Sequence, residues 1–109
     1  MAGFAQTPSP PYFVVIFTSC LSETVEGYAE MSDTMVALAE QQDGFLGMES
    51  ARDALGITLS YWSSRAAIAR WKEQVDHRAA QQIGKHTWYS SYQVRIAQVE
   101  RDYQMAPTE

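Results

Sequence analysis

His77 is the side chain in this sequence best suited to acid–base chemistry. It closes the segment Trp-Lys-Glu-Gln-Val-Asp-His that begins at Trp71. An imidazole titrates near neutral pH, so His77 can serve as a catalytic base or as a polar anchor for a substrate. On a straight helix His77 falls off the apolar stripe, and a surface or helix-capping histidine is the competing interpretation. His86 stands beside Gly84 and Lys85, which is typical of an exposed loop.

Aromatic side chains form the second candidate for a site. Trp62 and Trp71, with Tyr61 beside the first, can shape an apolar pocket for a flat substrate. Tryptophans at such spacing also pack hydrophobic cores, which is the simpler interpretation for Trp71. Three further aromatic residues cluster before the last predicted strand: Trp88, Tyr89 and Tyr92. This cluster gates a pocket or packs a dimer interface.

Arg95 is a charged residue inside an apolar run, where it alternates with Val94 and Ile96. A charge on a buried strand face needs a partner, and Glu49 on another predicted strand is a candidate. In the functional interpretation, the Arg95 guanidinium binds the substrate and steadies an enolate or a carboxylate. A structural ion pair is the simpler interpretation.

Composition excludes several classes of function. There is no GxGxxG, P-loop, CxxC, HxxxH or GxSxG pattern, so nucleotide, metal and hydrolase sites have no support. A net charge of −5 and a pI near 4.9 argue against nucleic acid and anionic membranes as partners. We expect neither a secretory signal nor a membrane span. The single cysteine, Cys20, cannot form an intrachain disulfide, and we expect a cytoplasmic protein.

Hydrophobic periodicity predicts the elements that position these residues. Residues 12–19 (YFVVIFTS) are apolar on both faces, which is typical of a central strand. We expect further strands over 45–52, 57–62 and 92–100. A first helix is predicted over 23–41 with Ser22 as its cap, and a second from Ser63 or Ser64 to Gln82, ended by Gly84. Residues 1–11 are predicted to be a disordered tail and 104–109 a frayed end, flanking one domain over 12–103.

This β-α-β-β-α-β order predicts the ferredoxin-like α+β fold, with an antiparallel four-stranded sheet and both helices on one face. If Ile57, Leu59 and Tyr61 meet the helices, then residues 58, 60 and 62 face away. Because the first strand is apolar on both sides, the second face of the sheet needs a cover. A second copy of the chain is the simplest cover and gives a homodimeric α/β barrel. The alternative is a monomer whose tail partly covers that face.

The stretch from Gly44 to Arg101 resembles one branch of the antibiotic biosynthesis monooxygenase family. The matching residues include Gly44-Phe45-Leu46-Gly47, Glu49-Ser50, Arg52-Asp53, Gly56-Ile57-Thr58-Leu59-Ser60-Tyr61-Trp62, Ala67-Ile68, Trp71-Lys72, His77, Ala80-Gln81, Gly84, Trp88-Tyr89, Tyr92, Val94-Arg95-Ile96-Ala97 and Val99-Glu100-Arg101. With the first strand and helix, the resemblance covers roughly residues 12–103. It implies the same fold and homodimer.

The resemblance also implies three alternatives for function. The first is a cofactor-independent monooxygenase that acts on a small aromatic or otherwise oxidisable molecule. The second is a haem-binding or haem-degrading protein. The haem-degrading branch has an Asn on the first strand, a Trp on the second helix and a His ten residues later; here Trp71 matches, Gln81 replaces the His, and the first strand has no Asn. The third is a dimer that binds a small ligand without catalysis.

Overall fold

The structure, a computed structural model, describes residues 3–23, 25–81 and 88–105. Within these ranges lie six elements: β1 Tyr12–Leu21, α1 Tyr28–Glu40, β2 Phe45–Arg52, β3 Gly56–Trp62, α2 Arg65–Gln81 and β4 Tyr89–Val99. The strands form one sheet in the order β2-β3-β1-β4, and each neighbouring pair is antiparallel. The predicted ferredoxin-like α+β fold is confirmed. None of the helices in the described ranges combines the length and the apolar character that crossing a lipid bilayer requires.

The burial of Trp62 defines the two faces of the sheet. Trp62 is fully buried against Ala67 and Ile68 of α2, so its face of β3 is the helix-covered face. Its indole N–H donates a 2.9 Å hydrogen bond to the Oγ of Ser60 on the same face. Because side chains alternate along a strand, residues 57, 59 and 61 point away from the helices. The orientation considered from the sequence, with residues 57, 59 and 61 toward the helices, is therefore wrong.

The core is a small aromatic and aliphatic cluster between α2 and the sheet. Trp62 stacks on Trp71 with ring centroids 5.8 Å apart, and the Phe45 ring meets Trp62 edge-on at 5.4 Å. Phe13 and Val15 of β1 complete the cluster. A flat indole fits there because Ala67 leaves room at the helix surface.

The first helix begins five residues later than predicted. β1 continues to Leu21, which pairs with Tyr89, and the amide of Ser22 donates to the carbonyl of Trp88 at 2.7 Å. These bonds hold Leu21 and Ser22 extended, so the predicted cap residue Ser22 continues the strand instead of starting the helix. Gly27 then occupies the N-cap with φ +82° and no side-chain cap. For the same reason β4 begins at Tyr89 rather than at Tyr92.

The second helix begins as predicted. The Oγ of Ser64 accepts a 3.1 Å hydrogen bond from the amide of Ala67, which satisfies one of the donors left open in the first turn. Gly84 and His86 lie outside the described residues. The tail over residues 3–11 contains neither helix nor strand, and its disorder stays a prediction.

Gly44 connects α1 to β2 and sets how closely α2 approaches. Its φ is +87°, and a Cβ there would lie 2.6 Å from the Ala67 Cβ and 2.8 Å from the Ser63 Oγ. We expect Gly44→Ala to lower the free energy of unfolding by about 2–5 kcal/mol, combining backbone strain with overpacking. Urea unfolding followed by circular dichroism measures this loss.

Gly27→Ala is the matched control, because Gly27 has a similar φ of +82° but its nearest neighbour, Trp88 Cζ2, is 3.7 Å from the added Cβ. It should lose only about 1–2 kcal/mol. Equal losses in the two variants would show that the contact with α2 contributes nothing.

Candidate functional site

An open apolar strip lies on the helix-covered face of β4. Tyr92, Val94 and Ile96 pair with Ser19, Phe17 and Val15 of β1 and therefore share the face of the core. They nevertheless remain 64%, 48% and 54% exposed. Within the described ranges the helices pack mainly over β2 and β3, and these three side chains of β4 stay open to solvent. We call the slot formed by residues 15, 17, 92, 94 and 96 the β4 groove.

Helix α2 borders this groove. Trp71 is half-buried on α2, and the next residue, Lys72, lies near enough to the Tyr92 hydroxyl for an electrostatic interaction. The Lys72 Nζ also donates 2.7 Å to the Oδ2 of Asp76. That hydrogen bond raises the pKa of Lys72 above its ordinary value, so the ammonium stays charged at neutral pH.

A cluster of aromatic rings closes one end of the groove. Phe17 stacks on Tyr92 at 5.4 Å and meets Tyr89 edge-on at 5.2 Å, and Tyr28 of α1 packs edge-on against Tyr89 at 5.8 Å. Burial, and then the hydrogen bond with Tyr28, raise the pKa of Tyr89 well above its usual range. The Tyr89 hydroxyl is therefore protonated at neutral pH and is engaged with Tyr28.

Arg52 places a fixed positive charge beside these rings. Its Cζ lies 5.9 Å from the centroid of the Tyr28 ring. The guanidinium donates to the carbonyl of Ser19 at 3.2 Å and also to the Ser19 Oγ. The bulge between Phe45 and Gly47 shifts the register of β2 and turns Arg52 toward the helices.

The structure divides the predicted pocket residues between the two faces. Trp62 and Trp71 stack together beneath α2, whereas Tyr61 lies on the opposite face and donates 2.7 Å to the Oε1 of Glu49. Arg95 is also on the opposite face, where it donates 2.9 Å to the Oε1 of Gln93. These side chains therefore do not line one cavity.

The predicted ion pair of Arg95 with Glu49 is wrong. The two residues lie in the same row of the sheet, because Glu49 pairs with Leu59, Leu59 with Ile16 and Ile16 with Arg95. Three strand spacings separate them, roughly 14 Å. The alternation of charged and apolar residues identified the face of Arg95 but not its distance from Glu49.

Trp88 holds the start of α1 against β4. Its indole N–H donates 2.7 Å to the carbonyl of Glu26, and its ring lies against Gly27. The predicted cluster of Trp88, Tyr89 and Tyr92 is thus split. Tyr89 and Tyr92 pack on Phe17 at the end of the groove, whereas Trp88 packs against Glu26 and Gly27.

His77 is exposed on α2. The buried and half-buried stripe of the helix consists of Ala67, Ile68, Trp71, Val75 and Arg78. At about 100° per residue, His77 lies roughly 130° from the centre of that stripe. It is not among the residues that face the groove, and its catalytic role stays a prediction. Within the described ranges, no three His, Cys, Asp or Glu side chains come together as a metal site.

Comparison with known proteins assigns this chain a family. The family model described as antibiotic biosynthesis monooxygenase matches residues 11–83. YqjZ, an uncharacterized protein of Bacillus subtilis (strain 168), is 50% identical over 103 residues, covering 93% of this chain and 90% of YqjZ.

Two solved structures share the fold at low sequence identity. MhuD, in a mutant form with two manganese protoporphyrin IX molecules bound per active site, superposes with a TM-score of 0.65 at 18% identity, covering 85% of this chain and 99% of MhuD. SnoaB, a cofactor-independent oxygenase from Streptomyces nogalater, superposes with a TM-score of 0.63 at 13% identity, covering 89% of this chain and 98% of SnoaB.

The Tyr61–Glu49 hydrogen bond makes stability depend on pH. Burial, and then the Glu49 carboxylate, raise the pKa of Tyr61 well above its ordinary value of 10.0. A tyrosine that ionises later in the folded than in the unfolded chain contributes stability that is complete below about pH 10 and is lost as pH rises toward the folded pKa. We expect the free energy of unfolding to fall above about pH 10, and less steeply in Tyr61→Phe.

Urea unfolding at a series of pH values measures this slope. Tyr103→Phe, which changes an exposed tyrosine, should retain the wild-type slope. An unchanged slope in Tyr61→Phe would contradict the prediction.

Proposed function

The protein belongs to the antibiotic biosynthesis monooxygenase family, whose model matches residues 11–83. On that premise we propose that it is a monooxygenase that oxidises a flat aromatic small molecule without a cofactor. One observation carries the proposal: the β4 groove is apolar, open to solvent and closed at one end by aromatic rings. The fold likeness to SnoaB, a cofactor-independent oxygenase, supports it.

The groove matches an aromatic substrate in shape and polarity. Val94 and Ile96 offer an apolar floor, and the rings of Phe17 and Tyr92 offer stacking surfaces that favour a flat ring. A ring bound there would remove these exposed apolar side chains from water, which is favourable by about 25 cal/mol for each Å² buried.

Positive charge and donors near the groove suit a phenol that must ionise. In this proposal the Lys72 ammonium near Tyr92 and the Arg52 guanidinium beside Tyr28 stabilise the phenolate relative to the phenol. The proton passes to water at the open mouth of the groove, because His77 lies on the far side of α2.

The phenolate then reacts directly with molecular oxygen. One oxygen atom becomes the new carbonyl of a quinone and the other leaves as water, and the ring carbon that is oxidised loses its hydrogen. The substrate itself supplies all four electrons, so no external reductant enters the reaction. The residues of the groove orient the ring, exclude bulk water from its face and hold the anion.

Haem binding is the second candidate, because MhuD holds a porphyrin on this fold and the β4 groove is apolar. The described residues do not fit an axial ligand to iron. His77 is exposed on the far side of α2, β1 has no Asn, and the tenth residue after Trp71 is Gln81. No step of the proposed reaction therefore passes through haem.

The groove proposal predicts where a charge abolishes activity. We expect Ile96→Glu to reduce kcat/KM by at least about tenfold, since a carboxylate in the groove repels a phenolate and wets its floor. The assay follows oxygen uptake with 1-naphthol as the probe, without added hemin, and incorporation of one labelled atom from ¹⁸O₂ into the quinone.

Leu55→Glu is the matched control, because Leu55 is 51% exposed and Ile96 is 54% exposed, and Leu55 lies in the β2–β3 turn. It should retain activity within about twofold, as is usual for surface substitutions. Full activity in Ile96→Glu would contradict the groove as the site, and no oxygen uptake by the wild type would contradict the oxygenase.

We also propose that the protein is a cytoplasmic homodimer formed through the face away from the helices. Ile16, Ile57 and Leu59 lie on that face, and β1 is apolar on both sides. The free thiol of Cys20 is consistent with a reducing compartment.

The dimer proposal predicts that a charge on this face separates the copies. Light scattering at tens of micromolar should give a dimer for the wild type and a monomer for Ile57→Glu. Val25→Glu is the control, because Val25 is 48% exposed and Ile57 is 42% exposed, and Val25 precedes α1 instead. A monomeric wild type would contradict the assembly.

A further inference from the structure

Glu49 lies at a cavity on the sheet face that points away from the helices. The cavity has a volume of about 410 Å³, and Tyr12 and Tyr61 line it together with Glu49. Residues 4–7 of the tail form one wall, and residues 102–105 after β4 form another. The homodimer proposed above forms through this same face, so a second copy of the chain would cover the cavity.

The Glu49 carboxylate can accept further hydrogen bonds. Its Oε1 accepts 2.7 Å from the Tyr61 hydroxyl, and its Oε2 accepts 3.0 Å from the amide of Ala5. Each carboxylate oxygen can accept two hydrogen bonds, so each of these oxygens can take one more. A guanidinium suits such a pair of acceptors, because its parallel N–H groups bind both oxygens of one carboxylate. Within the described ranges no lysine or arginine forms a salt bridge with Glu49.

Arg95 is the matching cation on this face. In the described strands it is the only lysine or arginine on the side away from the helices. Its side chain is exposed, and its 2.9 Å hydrogen bond goes to Gln93, which is neutral. If a second copy covered this face without pairing the two side chains, both charges would lose water and gain no partner, which is costly.

The position of these two residues in the sheet decides how a second copy can pair them. One row of the sheet runs from edge to edge through Glu49, Leu59, Ile16 and Arg95. When two copies meet face to face, the two-fold axis lies in the plane between the sheets. An axis parallel to the strands, between β3 and β1, brings the β2 edge of one copy over the β4 edge of the other. Glu49 then faces Arg95 of the second copy, and Leu59 faces its Ile16.

The alternative axis, perpendicular to the strands, gives a worse match. It places β2 over β2 and β4 over β4, and along this row it opposes Glu49 to Glu49 and Arg95 to Arg95. Like charges opposed across an interface cost several kcal/mol, so charge complementarity favours the axis parallel to the strands. Packed sheets lie about 10 Å apart at an angle of about 30°, which displaces these edge residues by roughly 4 Å, within the reach of an arginine.

We propose that the cavity at Glu49 receives the guanidinium of Arg95 from a second copy of the chain, and that the two symmetry-related ion pairs fix the register of the dimer. The inference rests on the homodimer proposed above and is independent of the oxygenase activity. Two side chains that lie too far apart to meet within one chain thus meet between two chains.

An exchange of charges tests this pairing. Arg95→Glu alone opposes two carboxylates at each contact, and Glu49→Arg alone opposes two guanidinium groups, so each variant should dimerise at least about tenfold more weakly than the wild type. An equimolar mixture of the two variants restores an opposite-charge pair at both contacts and should form a heterodimer with nearly the wild-type affinity. Sedimentation equilibrium measures the dissociation constants, and native mass spectrometry identifies the heterodimer.

Arg70→Glu is the matched control. It makes the same change of charge at an exposed position of α2, outside the proposed interface. It should change the dissociation constant of the dimer by less than about twofold.

Neutral variants keep the test decisive if Glu49→Arg does not fold. In Glu49→Gln the side-chain oxygen can still accept from Tyr61. Glu49→Gln and Arg95→Gln should each weaken the dimer, and the double variant should weaken it no more than the stronger of the two, because the pair is already broken. Circular dichroism establishes that each variant is folded.

The outcomes separate the ion pair from the dimer. A dimer unaffected by Arg95→Glu, two folded charge variants that do not associate, or additive losses in the neutral double variant would each overturn the pair and leave the dimer in place. A monomeric wild type would overturn both.

Discussion

The burial of Trp62 against α2 is the interaction on which the arrangement of this protein depends. An indole removed from water in a core accounts for about 3–5 kcal/mol when it is truncated to alanine, a large part of the stability of a small domain. Trp62 can reach the helix only if every even residue of β3 faces the same way. Its N–H is satisfied by Ser60, so the buried indole leaves no unpaired donor.

Because Trp62 is buried against α2, the two faces of the sheet present chemically different surfaces. The helices sit over the Trp62 side of the sheet and leave β4 open, which exposes Val94 and Ile96 beside Phe17. The opposite side receives Tyr61 and Glu49, with the tail docked across them. The helix-covered side of β4 is thus apolar and bordered by cations, and the opposite side combines the apolar Ile16, Ile57 and Leu59 with the hydrogen-bonded pair of Tyr61 and Glu49.

The distribution of charge follows the same division. Lys72 and Arg52 lie near the β4 groove, where a phenolate would be stabilised. Glu49 lies on the other face, where it accepts a hydrogen bond from Tyr61. The fold is shared with MhuD and SnoaB, and the charges of individual side chains distinguish the two faces.

The bulge in β2 shows how a local irregularity changes a site. Without the register shift between Phe45 and Gly47, Arg52 would point away from the helices. With it, the guanidinium reaches Ser19 across the sheet and lies over the ring of Tyr28. Alternation along β2 alone does not predict such a shift, because a bulge is a property of how two strands pair.

The sequence by itself determined the order of elements, the antiparallel sheet and the family, because strand and helix periodicity and the family's motifs are local properties of the chain. It also identified Tyr89 and Tyr92 as members of an aromatic cluster. Tertiary structure decided which face of β3 is buried, how far Arg95 lies from Glu49, and that Tyr28 packs against Tyr89 at the end of the groove. These depend on register and on packing between elements distant in sequence, which alternation along a single strand does not encode.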